Sequence, residues 1–274
     1  MKAATSPRPP SRPFRLAALA GAVALTLAAC GSEVPVVGSI GRISEGAASR
    51  AGSGNDHFQG VHPNHFAIHG IDVSKYQGEI DWQAVQSSGI KFAWIKATEG
   101  GDHLDEKFAL NWAQAQQAGV PRGAYHFAYW CRPPHEQINF FKKVVPRDPD
   151  ALPPVLDVEL TPTSKTCKRI LDRQEVLAEM REMLVDLERH YGKRPVIYTT
   201  VDFYEGILHP SEFSDYPVWV RSTKYAPQVK YPGRKWAFWQ YQSDALVPGI
   251  GGKTDRNVFR GDARQWQAFL QGPK

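Results

Sequence analysis

From Phe66 onward, short apolar runs alternate with amphipathic segments, and this alternation constrains the fold more than any other feature of the 274 residues. Short apolar runs bounded by turn residues read as buried strands, and segments with apolar residues at helical spacing read as helices laid over them. Strands are expected at 68–74, 92–97, 123–129, 154–159, 195–200, 218–221, 236–242 and 257–259. Asp81 opens a helix carrying Trp82 and Val85. A second helix, 105–118, has Phe108, Trp112 and Ala115 on one stripe and stops at Gly119. A third, 135–145, spaces Ile138, Phe141 and Val145 for burial. The clearest is 172–190, where Asp172 and Glu175 form a capping box and Val176, Met180, Leu184 and Leu187 the buried stripe. A terminal helix carries Trp266, Phe269 and Leu270. Such an alternation predicts an α/β chain closing into a single (β/α)8-type barrel, irregular because its later helices are short. A doubly wound open sheet is the runner-up, weakened by the lack of a Gly-x-Gly-x-x-Gly turn after the first strand.

The N-terminal segment reads as an address. Residues 1–29 hold Lys2, Arg8, Arg12 and Arg15 and no acid, and the apolar run 16–29 is too short for a convincing membrane span. It ends on Leu27-Ala28-Ala29-Cys30, which resembles a bacterial lipoprotein signal. That resemblance implies removal of 1–29, lipidation of Cys30 and a membrane-anchored place in the cell envelope on the periplasmic or outer face. The stretch up to 66, rich in Gly, Ser and Ala and without hydrophobic periodicity, reads as a flexible tether from Cys30 (30–66) to the barrel domain at 67–274. Subtracting the four basic residues from the net charge of +5 leaves +1, so no electrostatic case for a nucleic-acid partner survives. In an exported chain, Cys131 and Cys167 are expected to form a disulfide, since neither has a neighbour at metal-ligand spacing. The four histidines His57, His62, His65 and His69 read as solvated linker, with a metal tract as the alternative.

The chemistry is expected at the strand ends. Pro153-Pro154-Val155-Leu156-Asp157-Val158-Glu159 is an apolar strand entered by prolines and ending in two acids on one face, their alpha carbons about 6.5 Å apart. The other strand ends add Asp72 and Ser74, Glu99, then Tyr125, His126 and Phe127, then Tyr198, Trp219, Trp239, Gln240 and Tyr241, and finally Asp255 and Asn257. Acids and flat rings converging on one face suit a sugar polymer, because rings stack on pyranoses while carboxylates serve as acid, base or nucleophile. Tyr125, Phe127, Trp219 and Trp239 can instead be barrel core, and His126 a hydrogen-bonded core residue. Gly251-Gly252-Lys253-Thr254 looks like the tail of a phosphate loop, but Val247 stands where its first glycine is required. There is no His-Glu-x-x-His and no Gly-x-Ser-x-Gly. A mononuclear metal hydrolase using His126, Asp157 and Glu159 is a minor alternative.

Seven blocks, in order, resemble glycoside hydrolase family 25 lysozymes: His69–Gly78 with Ile80-Asp81-Trp82, Lys96–Gly100, Gly123–Phe127, Leu156–Glu159, Pro195–Thr199, Trp239–Tyr241 and Asp255–Asn257. The resemblance implies a flattened eight-stranded barrel with fewer helices, and cleavage of the β-1,4 bond after N-acetylmuramic acid in peptidoglycan. It needs no metal or other cofactor, and a monomer is expected. By position, Glu159 matches the general acid. Asp157 matches a partner carboxylate that orients the substrate acetamido group or supports developing charge, and Asp72 and Asp255 match the other acids of the groove. Tyr125, Tyr198 and Trp219 match its lining, with Glu99, Gln240 and Tyr241 as further substrate contacts. Retention of configuration is implied, with the acetamido group a candidate nucleophile. Arg221 departs from the family's usual neutral stretch and opens a contact to a carboxylate on the glycan or its peptide stem. The competing readings are a non-catalytic wall-binding lipoprotein on the same scaffold, and a related barrel glycosidase acting on a chitin-like polymer.

Overall fold

The computed structural model describes Phe58 and residues 60–271; the signal-like segment, Cys30 and most of the expected tether lie outside the described residues. The strands are β1 (Ile68–Val73), β2 (Phe92–Glu99), the two-residue β3 (His103–Leu104), β4 (Arg122–Phe127), β5 (Val155–Val158), β6 (Val196–Thr199), β7 (Val218–Arg221), β8 (Phe238–Leu246) and β9 (Lys253–Phe259). The helices are α1 (Trp82–Ser87), α2 (Phe108–Gln117), α3 (Pro134–Val144), α4 (Arg173–Tyr191), the three-residue α5 (Val201–Phe203), α6 (Pro227–Lys230) and α7 (Ala263–Gln271).

Seven strands pair in parallel in the order β1-β2-β4-β5-β6-β7-β8, and β9 closes the ring by lying antiparallel between β8 and β1. The result is the expected eight-stranded barrel, with β3 as a short addition on the end of β2, and not the open sheet. The last strand is longer than its apolar run and reversed in direction. Residues 247–252 leave no room for a crossover helix, so β8 and β9 form a hairpin. The Gly251-Gly252-Lys253-Thr254 stretch accordingly leads into a strand and not a helix.

The helices start where their caps dictate. Asp81 accepts from the amides of Gln83 and Ala84, both at 3.1 Å, and opens α1. Asp172 opens α4 in the same way, but Glu175 does not complete the expected box; it pairs with Arg169 at 2.9 Å. Asp105, expected inside α2, lies before it and accepts from the amides of Lys75 (2.9 Å) and Lys107 (3.0 Å). That bond ties the turn after β1 to the start of α2.

Strand alternation divides the apolar residues into two sets. Outward-facing residues pack under the helices, while Phe92, Trp94, Val155, Val196, Tyr198, Trp219, Phe238 and Phe259 fill the barrel. Trp94 stacks on Trp219 at 4.8 Å between centroids and meets Phe238 edge-on at 4.5 Å. Room for these rings comes from Gly70 and Gly123. A Cβ on the first would lie 2.4 Å from the Phe92 ring, and on the second 2.6 Å from the Trp94 indole nitrogen. Trp266 of α7 packs against Phe92 and Phe259, so the terminal helix seals the amino end of the barrel.

The expected tether does not run unbroken to residue 66. Phe58 packs edge-on against Trp239 and Phe66 against Trp236, and His62 caps the short turn Pro63–His65. Aromatic burial therefore fixes this stretch to the outside of the barrel.

Candidate active site

At the carboxyl ends of the parallel strands a cleft of about 350 Å³ opens, lined by Asp72, Asp157, Glu159 and Asp255 together with Tyr125, Tyr198, Trp219 and Gln240. Asp72 and Asp255 come together because they are register partners across the antiparallel β1–β9 pair. The reversal of β9 thus brings Asp255 to this face from the first half of its strand. Asp157 lies within β5 and Glu159 just past it. Two bonds hold that backbone: the Ala128 amide donates to the Asp157 carbonyl (2.9 Å) and the Trp130 indole to the Glu159 carbonyl (2.8 Å).

Asp72 is the most constrained acid. Its Oδ2 accepts from Gln240 Nε2 at 2.9 Å and from Asn257 Nδ2 at 2.8 Å. Tyr198 donates its hydroxyl to Gln240 Oε1 (3.0 Å), and Trp219 its indole N–H to Asn257 Oδ1 (2.8 Å). Tyr198, Gln240, Trp219 and Asn257 thereby form a relay from the packed floor to one carboxylate, fixing which way each amide faces. Burial, then the charge of Asp255, push the Asp72 carboxyl up to about 8, against the two donated bonds.

The other acids are raised too. Asp255 is pushed to about 6 by burial, opposed by the Arg221 guanidinium. Burial raises Glu159; Arg221 opposes it and Asp202 adds to it. Asp157 is raised well above the usual carboxylate range by burial and then by Glu159, with Lys96 opposing. Among the described residues its Oδ1 has no hydrogen-bond partner, an expensive state for a buried oxygen. Burial thus weighs more on Asp157 than on Glu159, a difference the sequence pattern does not carry. The pair titrates as a unit and favours holding a proton between them.

Two of the expected contacts lie elsewhere. Tyr241 sits behind the cleft, its ring against His69 and Trp239 and its hydroxyl 3.3 Å from His69 Nδ1. Glu99 lies in the adjoining surface hollow and reaches the cleft through its 2.8 Å ion pair with Lys96. His126 faces α3, bonded to Thr98 (2.7 Å) and Gln137 (3.1 Å), and burial lowers its pKa to about 4. Sequence reasoning passed over Lys96, Tyr76 and Gln77 as cleft residues, whereas Phe127 and Asn257, noted at their strand ends, line the cleft and hold Asp72 respectively. Alternation along β2 could have found Lys96, two residues from Trp94 on the same face. Tyr76 and Gln77 depend on the turn after β1, where Ser74 and Gln77 cap each other.

Beside the cleft, Cys131 and Cys167 form the expected disulfide, with alpha carbons 5.5 Å apart and a sequence separation of 36. It joins the loops after β4 and β5, and closing a loop of that length restricts the unfolded chain by about 3–4 kcal/mol in the chain-entropy picture.

Comparison with known proteins agrees with this geometry. The family model described as "Glycosyl hydrolases family 25" matches residues 71–250. The chain is similar to lysozyme M1 of Streptomyces globisporus, 37% identical over 221 residues, covering 74% of this chain and 71% of that one. It is equally similar to the uncharacterized protein YegX of Escherichia coli K12, 37% identical over 217 residues and covering 77% and 76% of the two chains. Among solved structures, a family 25 glycosyl hydrolase from Bacillus anthracis superposes with a TM-score of 0.70 at 35% identity, covering 79% of this chain and 98% of that one. A bacterial lysozyme from Streptomyces coelicolor gives 0.66 at 33% identity, covering 75% and 97%. The chain belongs to glycosyl hydrolase family 25 and is a glycoside hydrolase of the lysozyme (muramidase) class.

Proposed function

We propose that this protein is an exported lysozyme that hydrolyses the β-1,4 bond between N-acetylmuramic acid and N-acetylglucosamine in peptidoglycan, with Glu159 as general acid. The observation that carries the reading is the cleft itself, where four carboxylates, two of them two residues apart on one strand, meet aromatic and amide side chains at the barrel mouth. Lysozyme M1 and the N,O-diacetylmuramidase of Arthroderma benhamiae are relatives whose names point to the same bond.

The chemistry follows from the electrostatics. Glu159, raised by burial, keeps its proton at a pH where an exposed glutamate has lost it, and can deliver it to the leaving sugar oxygen. Asp157 must be ionised to support positive charge at the sugar carbon. The substrate acetamido N–H supplies the means: donated to the unpartnered Oδ1, it stabilises the carboxylate and leaves the shared proton on Glu159. With Asp157 holding it, the acetamido oxygen is placed to attack the sugar carbon, which accounts for retention. Asp72, held by Gln240 and Asn257, and Asp255 orient the substrate from the opposite wall.

The lipoprotein-like signal ending at Cys30, outside the described residues, supports export and anchoring, and the disulfide is consistent with an oxidising compartment. Digestion of defined peptidoglycan, with products read by mass spectrometry, tests the reaction. New reducing ends on N-acetylmuramic acid are expected. New ends on N-acetylglucosamine, or no cleavage by folded protein, would overturn it.

A further inference from the structure

Two cations line the cleft. Lys96 is engaged by Glu99 at 2.8 Å. Arg221, at the end of β7, makes no ion pair and no side-chain hydrogen bond among the described residues. Among the described residues, most other buried or half-buried arginines are held by their heads; Arg256, whose buried Nε has no hydrogen-bond partner, is an exception. Arg122 bonds Asp148, Arg169 bonds Glu175 and Glu179, Arg173 bonds Glu212, and Arg234 bonds three backbone carbonyls.

The base of Arg221, by contrast, is fixed. Its carbonyl accepts from the Tyr231 hydroxyl at 2.6 Å, its strand is in register with Gln240, and the next amide, Ser222, donates to the Gln240 carbonyl at 3.0 Å. The guanidinium acts on both Glu159 and Asp255, which puts it between the proton donor and the opposite wall without contacting either. A fixed base and an uncommitted planar head suit a bidentate acceptor brought in from outside. On the proposed substrate such acceptors are carboxylates. The lactyl group of N-acetylmuramic acid ends in one wherever its peptide has been removed, and stem peptides carry their own.

We propose that Arg221 is a specificity residue that pairs with a substrate carboxylate, so that the cleft prefers anionic glycan over an otherwise equal neutral one. The inference rests on the muramidase reading above. It places the lactyl carboxylate first among the sources, because that group sits on the sugar whose bond is cut beside Glu159. If so, this enzyme acts best on strands from which an amide-bond hydrolase has already taken the peptides.

The test uses three substrates of equal length: peptide-free strands with the lactyl carboxylate free, the same strands with that carboxylate converted to the methylamide, and strands with peptides intact. Wild-type kcat/KM is expected to be about tenfold or more higher on an anionic substrate than on the methylamide, a charge-assisted bond being worth at least that ratio. In Arg221→Gln the preference should shrink to within about twofold, mainly through KM, and Arg221→Lys should keep part of it. Loss confined to the free lactyl strands identifies that carboxylate; loss confined to the peptide-bearing strands identifies the stem. An equal change on all three substrates would mean that Arg221 acts only on Glu159 and Asp255, and would overturn the proposal. Should Arg221→Gln not fold, the wild-type ratio decides alone, and a ratio near one overturns it. Wild type that cuts none of the three fails earlier, at the muramidase reading, and takes this proposal with it.

Discussion

On four of the strands the interior face changes character within two residues. On β2, Trp94 is followed by Lys96; on β5, Val155 by Asp157; on β7, Trp219 by Arg221; on β8, Phe238 by Gln240. Below that step the barrel is a packed aromatic floor, and above it lie carboxyl groups raised by burial and by one another. The same backbone thus carries a stabilising half and a costly half. The costly half is confined to the mouth of the barrel, on the carboxyl side of the parallel strands and the first half of β9, where the floor beneath prevents it from relaxing.

If the division is real, the two halves should fail differently. Glu159→Gln preserves shape in the upper half but cannot donate an acidic proton, so turnover on peptidoglycan should fall by about 10²–10⁴ with unchanged melting behaviour. The alkaline decline of kcat in wild type, where Glu159 loses its proton, should vanish with it. A folded Glu159→Gln near wild-type rate would remove Glu159 as the acid. Trp94→Ala strikes the floor. It leaves a cavity against Trp219 and Phe238 and should cost about 3–5 kcal/mol in denaturant unfolding. A loss below about 1 kcal/mol would show that the floor is not what holds the strands.

The floor was easier to read in the sequence than the cleft. Apolar alternation is local and survives small errors of boundary, so β1, β2 and β4–β7 appear within a residue or two of their expected places. Asp157 and Glu159 were legible for the same reason, sharing one face of one strand. What escaped depends on pairing over long separations. The partnership of Asp72 with Asp255 follows from the reversed β9, and the bond from Asn257 to Asp72 spans 185 residues. No local period announces either. Glu99 and Tyr241 show the converse. Each ends a promising motif, yet an ion pair with Lys96 and packing on His69 and Trp239 keep them out of the cleft lining.

The smallest expected effect is the most direct test of the cost carried by the upper half. Asp72 has its pKa pushed to about 8 in the folded protein, whereas an exposed aspartate in the unfolded chain titrates near ~4. Between those values the folded protein holds a proton that the unfolded chain has released, so stability declines as pH rises through that window. Asp72→Asn resembles the protonated form. Its oxygen can take the place of Oδ2, accepting from Gln240 and Asn257, and it carries no charge to desolvate or to face Asp255. The variant should gain roughly 2–4 kcal/mol of stability at pH 8, less than the full shift because Asp255 ionises more readily once its neighbour is neutral. The gain should be near zero at pH 4, grow up to about pH 8 and then level off. Unfolding of both proteins across that range would measure it, and a difference that does not vary with pH would mean that the Asp72 carboxyl is not strained by its site.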